Sequence, residues 1–205
     1  MSPDQGERPA RHLWAGLRDL ISEHKPSDHA ERWALSEISL SLDGGEAKLS
    51  KSAPGSHFTV SCLCLDARMT RALMIHHRKL GRVLQPGGHI EPADASFQAA
   101  AMREVAEETL PPGSPPPTLM LDGALLDVDA HDIPASASTP AHRHLDLRFL
   151  ARMPEGHEPW HNPIEATGAL WVPLAELAAS PDPSISRMAR KALEIVAARP
   201  RLPAP

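Results

Sequence analysis

Apolar residues at Leu13, Trp14, Leu17, Leu20 and Ile21 recur at helical spacing, which predicts a helix over residues 10–24. Pro26 and Ser27-Asp28 interrupt it and can start a second helix, carrying Trp33, Ala34, Ile38 and Leu40 over residues 28–42. Gly44-Gly45 and the stretch to Pro54-Gly55 read as a linker, so residues 1–52 form a helical extension and residues 53–205 a second unit. From His57 the texture changes to a β-rich run, His57–Leu65, whose two faces both become apolar by its end. Such a strand fits a sheet covered by helices on both sides. Residues 72–77 and 83–85 read as short strands before Pro86-Gly87-Gly88, and residues 95–110 as a helix closed by Pro111-Pro112. Strands are expected at 119–128, 144–153 and 168–172, with a long loop over 129–143. A short helix near 173–179 and a last helix over 184–199, with Ile185, Met188, Ala189, Ala192, Leu193 and Val196 on one side, complete the pattern. Mixed strands and helices of this kind point to an α/β sandwich.

Composition removes several classes. The chain has 205 residues and is 41% hydrophobic, which suits a soluble globular protein able to bury a core. Its net charge of −5 argues against a general nucleic-acid binder or a polybasic membrane surface. No run approaches the roughly 18 apolar residues of a membrane span, and the start Met-Ser-Pro-Asp-Gln carries no secretion signal. The two cysteines, Cys62 and Cys64, share one face of a strand, a placement that suits a disulfide poorly. Free thiols in a reducing cytoplasm are the expected state.

The chemistry concentrates in the helix after Gly87-Gly88. Glu104, Glu107 and Glu108 fall within an arc of roughly 100° on it, with Met102, Val105, Ala106 and Thr109 expected to pack on the sheet. Carboxylates at these spacings repel one another, and they sit late in the helix, at the wrong end for its dipole. Such local frustration often marks a functional site, and a hard divalent cation, Mg²⁺ or Mn²⁺, resolves it. Arg103 can reach Glu107 at i+4 and orient it. Asp94 reads as a helix N-cap. The bland alternative for the glutamates is a solvated acidic face, but the preceding Pro-Gly-Gly lets backbone approach a metal or phosphate closely.

Segment 87–109 resembles the Nudix box, the signature of the Nudix hydrolases. Gly88 matches its first Gly, and Arg103-Glu104-Val105-Ala106-Glu107-Glu108 matches its core without a gap. Asp94 stands at the intermediate Glu, with one residue more than usual before Arg103, and Thr109 replaces the closing Gly. Trp171-Val-Pro-Leu-Ala-Glu-Leu177 resembles a common family ending. The resemblance implies a Nudix-type α/β/α sandwich with a mixed sheet. It also implies Mg²⁺- or Mn²⁺-dependent hydrolysis of a small-molecule diphosphate, often a nucleoside derivative. Glu104, Glu107 and Glu108 would bind metal with the Gly88 carbonyl as a further ligand, and Glu104, Glu107 and Arg103 would be catalytic. The general base is Glu104, Glu165 or Asp146.

His142, His144, Asp146 and Arg148 alternate with apolar residues and share a strand face, which reads as a substrate wall, a satisfied polar sheet face or a His-rich transition-metal site. With Arg78 and Lys79 they are the candidates to hold an anionic substrate. A Nudix-like sensor that binds without cleaving is the alternative function, and isomerase chemistry on a diphosphate ester is a third. Residues 1–52 can pack on the core or build a homodimer.

Overall fold

A computed structural model describes residues 10–44, 46–50, 53, 55–136 and 139–199. Two helices lead, α1 (Ala10–Glu23) and α2 (His29–Ser41). Asp28 caps α2 by accepting the Glu31 amide at 2.8 Å, which satisfies one of the orphan donors of the first turn. The strands are β1 (Ser56–Leu65), β2 (Arg71–His77), β3 (Arg82–Leu84), β4 (Gly87–His89), β5 (Thr118–Leu119), β6 (Asp127–Ile133), β7 (His142–Arg152) and β8 (Ala166–Pro173). Helix α3 (Phe97–Thr109) lies between β4 and β5, while α4 (Leu174–Ala178) and α5 (Pro183–Ala197) follow β8.

The sheet is mixed. β1 runs parallel to β7 through ten aligned pairs, from Ser56↔Arg143 to Leu65↔Arg152. The other edge of β1 is shared, since β4 pairs antiparallel with its first half and β2 with its last residues. On the far side of β7, β6 pairs with its first half and β5 with its end, and β8 extends the sheet from β2.

Alternation along β1 separates two cores. Phe58, Val60, Cys62 and Cys64 join Leu145, Leu147 and Phe149 of β7 in one cluster, with Phe97, Ala101 and Val105 of α3 and Leu13, Leu17 and Ile38 of the leading helices. Leu63, Leu65, Met74 and Leu150 join Met188, Ala189 and Ala192 of α5 on the other face. Helices thus cover both sides, as the two-faced apolarity of β1 implies, and α1 and α2 share the core of the sheet. Both cysteines are free and buried.

The strand expected over 119–128 is broken. Leu121, Asp122 and Gly123 all have positive φ (57°, 51° and 83°), so the chain turns there and re-enters the sheet as β6. Within the expected loop over 129–143, residues 129–133 belong to β6. Of the linker over residues 44–55, residues 45, 51, 52 and 54 lie outside the described residues. Among the described residues no helix is long and apolar enough to cross a membrane.

One buried ionic cluster ties α2 and α5 to β6 and β7. Glu31 is fully buried. Its Oε1 meets His24 Nε2 at 2.7 Å and accepts from Lys191 Nζ at 2.5 Å, while its Oε2 accepts the Ser27 amide at 2.6 Å. Burial alone would push this carboxyl up, but His24, Lys191 and the Ser27 amide hold it far below the usual carboxylate range. Arg187 of α5 forks onto Asp127 at 2.7 and 2.9 Å, and Lys191 lies 3.8 Å from the same residue.

Candidate active site

The site forms where the glycine pair of a short strand meets a helix crowded with carboxylates. Ser96 caps α3 by accepting the Ala99 amide at 3.0 Å. Asp94 therefore is not the cap that its position suggests, and Arg103 is its partner. Arg103 Nε meets Asp94 Oδ1 and Nη2 meets Oδ2, each at 2.9 Å. The same guanidinium donates to the His89 carbonyl at 2.8 Å, to Glu104 Oε1 at 2.9 Å and to Glu107 Oε2 at 3.3 Å. A planar fork with five donors is the one side chain that can serve four acceptors in this way. Asp94 Oδ2 also accepts the Glu91 amide at 2.7 Å, which fixes the loop between β4 and α3.

The packed face of the helix is shifted from the one periodicity suggests, keeping Val105 and Thr109. Phe97, Ala100, Ala101, Val105, Glu108 and Thr109 are buried, whereas Met102 and Ala106 are only half-buried. The acidic arc overlaps the sheet-facing stripe because Gly87 and Gly88 leave room there. A Cβ on Gly88 would stand 2.6 Å from the Glu104 carboxylate. The Gly87 amide donates to Glu108 Oε2 at 2.9 Å. Glu108 is buried at 3% exposure, Glu104 is half-buried at 14%, and Glu107 at 55% reaches solvent. α3, β4 and Arg103 thus bring Gly88, Glu104, Glu107 and Glu108 together.

Burial pushes the Glu108 carboxyl up to about 8; the Gly87 amide opposes the shift, and the negative charges of Glu104, Glu165 and Glu107 reinforce it. Burial likewise raises Glu104, against the pull of Arg103. Glu165 belongs to the loop before β8, which crosses the end of α3 where the Asn162 amide donates to the Glu108 carbonyl at 2.9 Å.

The remaining candidates are spread over two regions. Arg78 donates to the carbonyls of Pro163 and Ala166, at 2.7 and 3.2 Å, and so braces that same loop. Lys79 is exposed in the turn after β2. His142, His144, Asp146 and Arg148 do share one face of β7, but it is the face opposite α3. Asp146 is buried and accepts from Thr59 Oγ1 at 3.0 Å, Ser61 Oγ at 2.7 Å and Arg148 Nε at 3.0 Å. Arg148 is buried, and its guanidinium is committed to Asp127, Asp129, Asp146 and Ser184.

At the outer end of this polar face stands a group of imidazoles that the strand pattern only half reveals. His57 aligns with His144, His144 with His131, and His89 sits beside Thr59 of β1. His142 Nε2 lies 3.2 Å from His144 Nε2, and His57 Nε2 lies 3.1 Å from His89 Nε2. Burial, together with neighbouring imidazoles, lowers His57 to about 4 and His144 to about 3, so both rings are uncharged at neutral pH.

The comparisons with known proteins agree on one family for this sheet, glycine pair and acidic helix. The NUDIX domain family model matches residues 55–192, and this chain belongs to that family. The fold is shared with solved structures at low identity. A C. elegans Ap4A hydrolase binary complex matches at TM-score 0.52 and 17% identity, covering 68% of this chain and 97% of that one. The E. coli dihydroneopterin triphosphate pyrophosphohydrolase matches at TM-score 0.50 and 17% identity, with 67% and 95% covered. RenU, a Nudix hydrolase from M. smegmatis, matches at TM-score 0.50 and 18% identity, with 73% and 91% covered. No curated protein matches the sequence.

Proposed function

We propose that this protein is a metal-dependent Nudix hydrolase that cleaves the diphosphate linkage of a nucleoside diphosphate derivative or a related compound. One observation carries the reading. One buried, one half-buried and one exposed glutamate converge beside a glycine pair, with a single arginine holding two of them. A sensor would tolerate loss of any of these carboxylates, and all three are present.

The donor set fits Mg²⁺ or Mn²⁺. Its groups are hard oxygens, and burial, reinforced by the neighbouring carboxylates, raises Glu108, a cost that a cation would relieve. Glu104, Glu107, Glu108 and the Gly88 carbonyl are the proposed ligands. When bound, the ion supplies neutralisation of diphosphate oxygens and a water of lowered pKa.

The protein groups supply the rest. Arg103 fixes the rotamer of Glu104 and limits that of Glu107, so these carboxylates need no reorganisation on binding. The Gly87 amide holds Glu108. Glu104, set against Gly88, is assigned as general base; Glu165, which faces Glu108 from the neighbouring loop, is the second candidate. On the substrate side, Lys79 is proposed to meet the anionic end and Arg78 to brace the loop that carries Glu165, whereas His142, His144, Asp146 and Arg148 lie on the opposite face of the sheet. The buried free thiols support a cytoplasmic location.

Phosphate release over a panel of nucleoside diphosphate derivatives, with Mg²⁺ and with Mn²⁺, tests the reading. Metal-dependent turnover of at least one member that disappears in Glu107→Gln supports it. Tight binding of a member without release supports the sensor, and rearranged product without phosphate release supports the isomerase.

A further inference from the structure

We propose that His57, His142 and His144 form a second metal site, built for a borderline ion of the Zn²⁺ type and separate from the carboxylate pocket. One nitrogen from each of the three lies within 4.8 Å of the other two. Their ring centroids make a nearly regular triangle, with sides of 4.9, 4.9 and 5.0 Å. Zn–N bonds of about 2.0–2.1 Å in tetrahedral geometry place ligand nitrogens roughly 3.3 Å apart. The His142 and His144 Nε2 atoms already stand at 3.2 Å.

The tautomer is prepared as well. His142 Nδ1 lies 2.9 Å from the Pro140 carbonyl, which can only accept, so this nitrogen carries the proton. The Nε2 lone pair of the neutral ring is thereby aimed at His144. A ring N–H held by a backbone carbonyl is the usual outer support of a metal-bound histidine. His131 repeats the device at the margin, its Nδ1 3.1 Å from Asp129 Oδ2 and its ring 5.5 Å from that of His144. His57 is 2% exposed, and its Nδ1 has no hydrogen-bond partner. A buried orphan nitrogen among packed imidazole rings is costly unless something supplies an electron-pair acceptor.

The location separates this site from the hydrolytic one. Alternation along β1 puts His57 on the face opposite Val60, whose partner Gly88 faces Glu104. The ligand chemistry differs in the same sense. Imidazole suits Zn²⁺, Co²⁺, Ni²⁺ or Cu²⁺, whereas the carboxylates suit Mg²⁺ and Mn²⁺. An ion here would clamp the first turns of two parallel strands, β1 and β7, and three protein ligands would leave a fourth position open.

The test is Zn²⁺ uptake by the full chain, measured by calorimetry in excess Mg²⁺, with Co²⁺ absorption as a spectroscopic check. Wild-type protein is expected to bind one Zn²⁺ and to give the visible absorption of four-coordinate Co²⁺. Because outer-shell partners alone are worth about 10–100-fold in affinity, removing a direct ligand in His142→Ala or His144→Ala should cost at least about 100-fold. His142 is half-buried at the start of its strand, so this variant spares the core. Glu104→Gln/Glu107→Gln should keep the Zn²⁺ site while losing turnover, which separates this proposal from the hydrolytic reading. Absence of Zn²⁺ uptake by the wild type overturns it, as does uptake that survives both histidine substitutions or vanishes with the glutamates.

Discussion

Arg103 and Asp94 close a two-pronged ion pair, Nε to Oδ1 and Nη2 to Oδ2, across the nine residues that separate loop from helix. Parallel forks of this kind are the strongest form of the arginine–carboxylate contact. Here the pair fixes the guanidinium that also touches Glu104 and Glu107. Asp94→Ala is expected to release that guanidinium, lowering kcat about 10-fold while costing about 2 kcal/mol of stability. Steady-state kinetics with a urea titration of the same variant measures both. A kcat equal to wild type would show that Arg103 orients the glutamates unaided.

The two glycines before the helix should fail in different ways. A Cβ on Gly88 meets only the far end of Glu104, at 2.6 Å. A Cβ on Gly87 meets the Val60 carbonyl oxygen at 2.5 Å and the Ser61 Cα at 2.7 Å, which are backbone atoms of a central strand. Gly88→Ala should therefore keep its melting temperature within a few degrees and lose activity, while Gly87→Ala should lose stability. Paired thermal melts and turnover assays distinguish the two, and equal destabilisation would contradict the distinction.

Glu31 links acid stability to the leading helices. Its folded-state pKa is depressed from 4.5, so its contribution to stability is complete above that value and is lost as pH falls below it. The fully buried Glu31→Gln leaves Lys191 without its counter-charge, a change expected to cost about 3 kcal/mol. Denaturant titrations at pH 7 should show that loss, and the gap between variant and wild type should narrow below pH 4.5. A gap independent of pH would contradict an ionised Glu31 in the folded state.

The sheet was largely legible because β1 and β7 carry apolar residues in a period-two pattern and the helices carry them at three and four. The break at Leu121–Gly123 was not, because two of its three positive-φ residues are Leu121 and Asp122 and only tertiary context puts them there. The acidic helix is legible as a charge conflict, and its expected packed side holds for Val105 and Thr109 but not for Met102 and Ala106. Hydrophobic periodicity aims carboxylates away from a sheet, and it takes no account of a glycine strand that offers amides and empty space. The role of Asp94 was hidden by a competing local signal, since an acidic residue ahead of a helix reads as a cap, and Ser96 holds that place. The imidazole cluster needed register, which aligns His57 with His144 across 87 positions of chain.

The most direct measurement is a calorimetric titration of the purified chain with Mn²⁺, alone and with a nonhydrolysable nucleoside diphosphate analogue, beside Glu104→Gln/Glu107→Gln. Saturable Mn²⁺ binding by the wild type, tightened by the analogue and weakened at least about 100-fold in the variant, corresponds to roughly 3 kcal/mol and is the expected result. Wild-type protein that takes up no Mn²⁺, or a variant that binds it equally well, would contradict a metal centre on this helix.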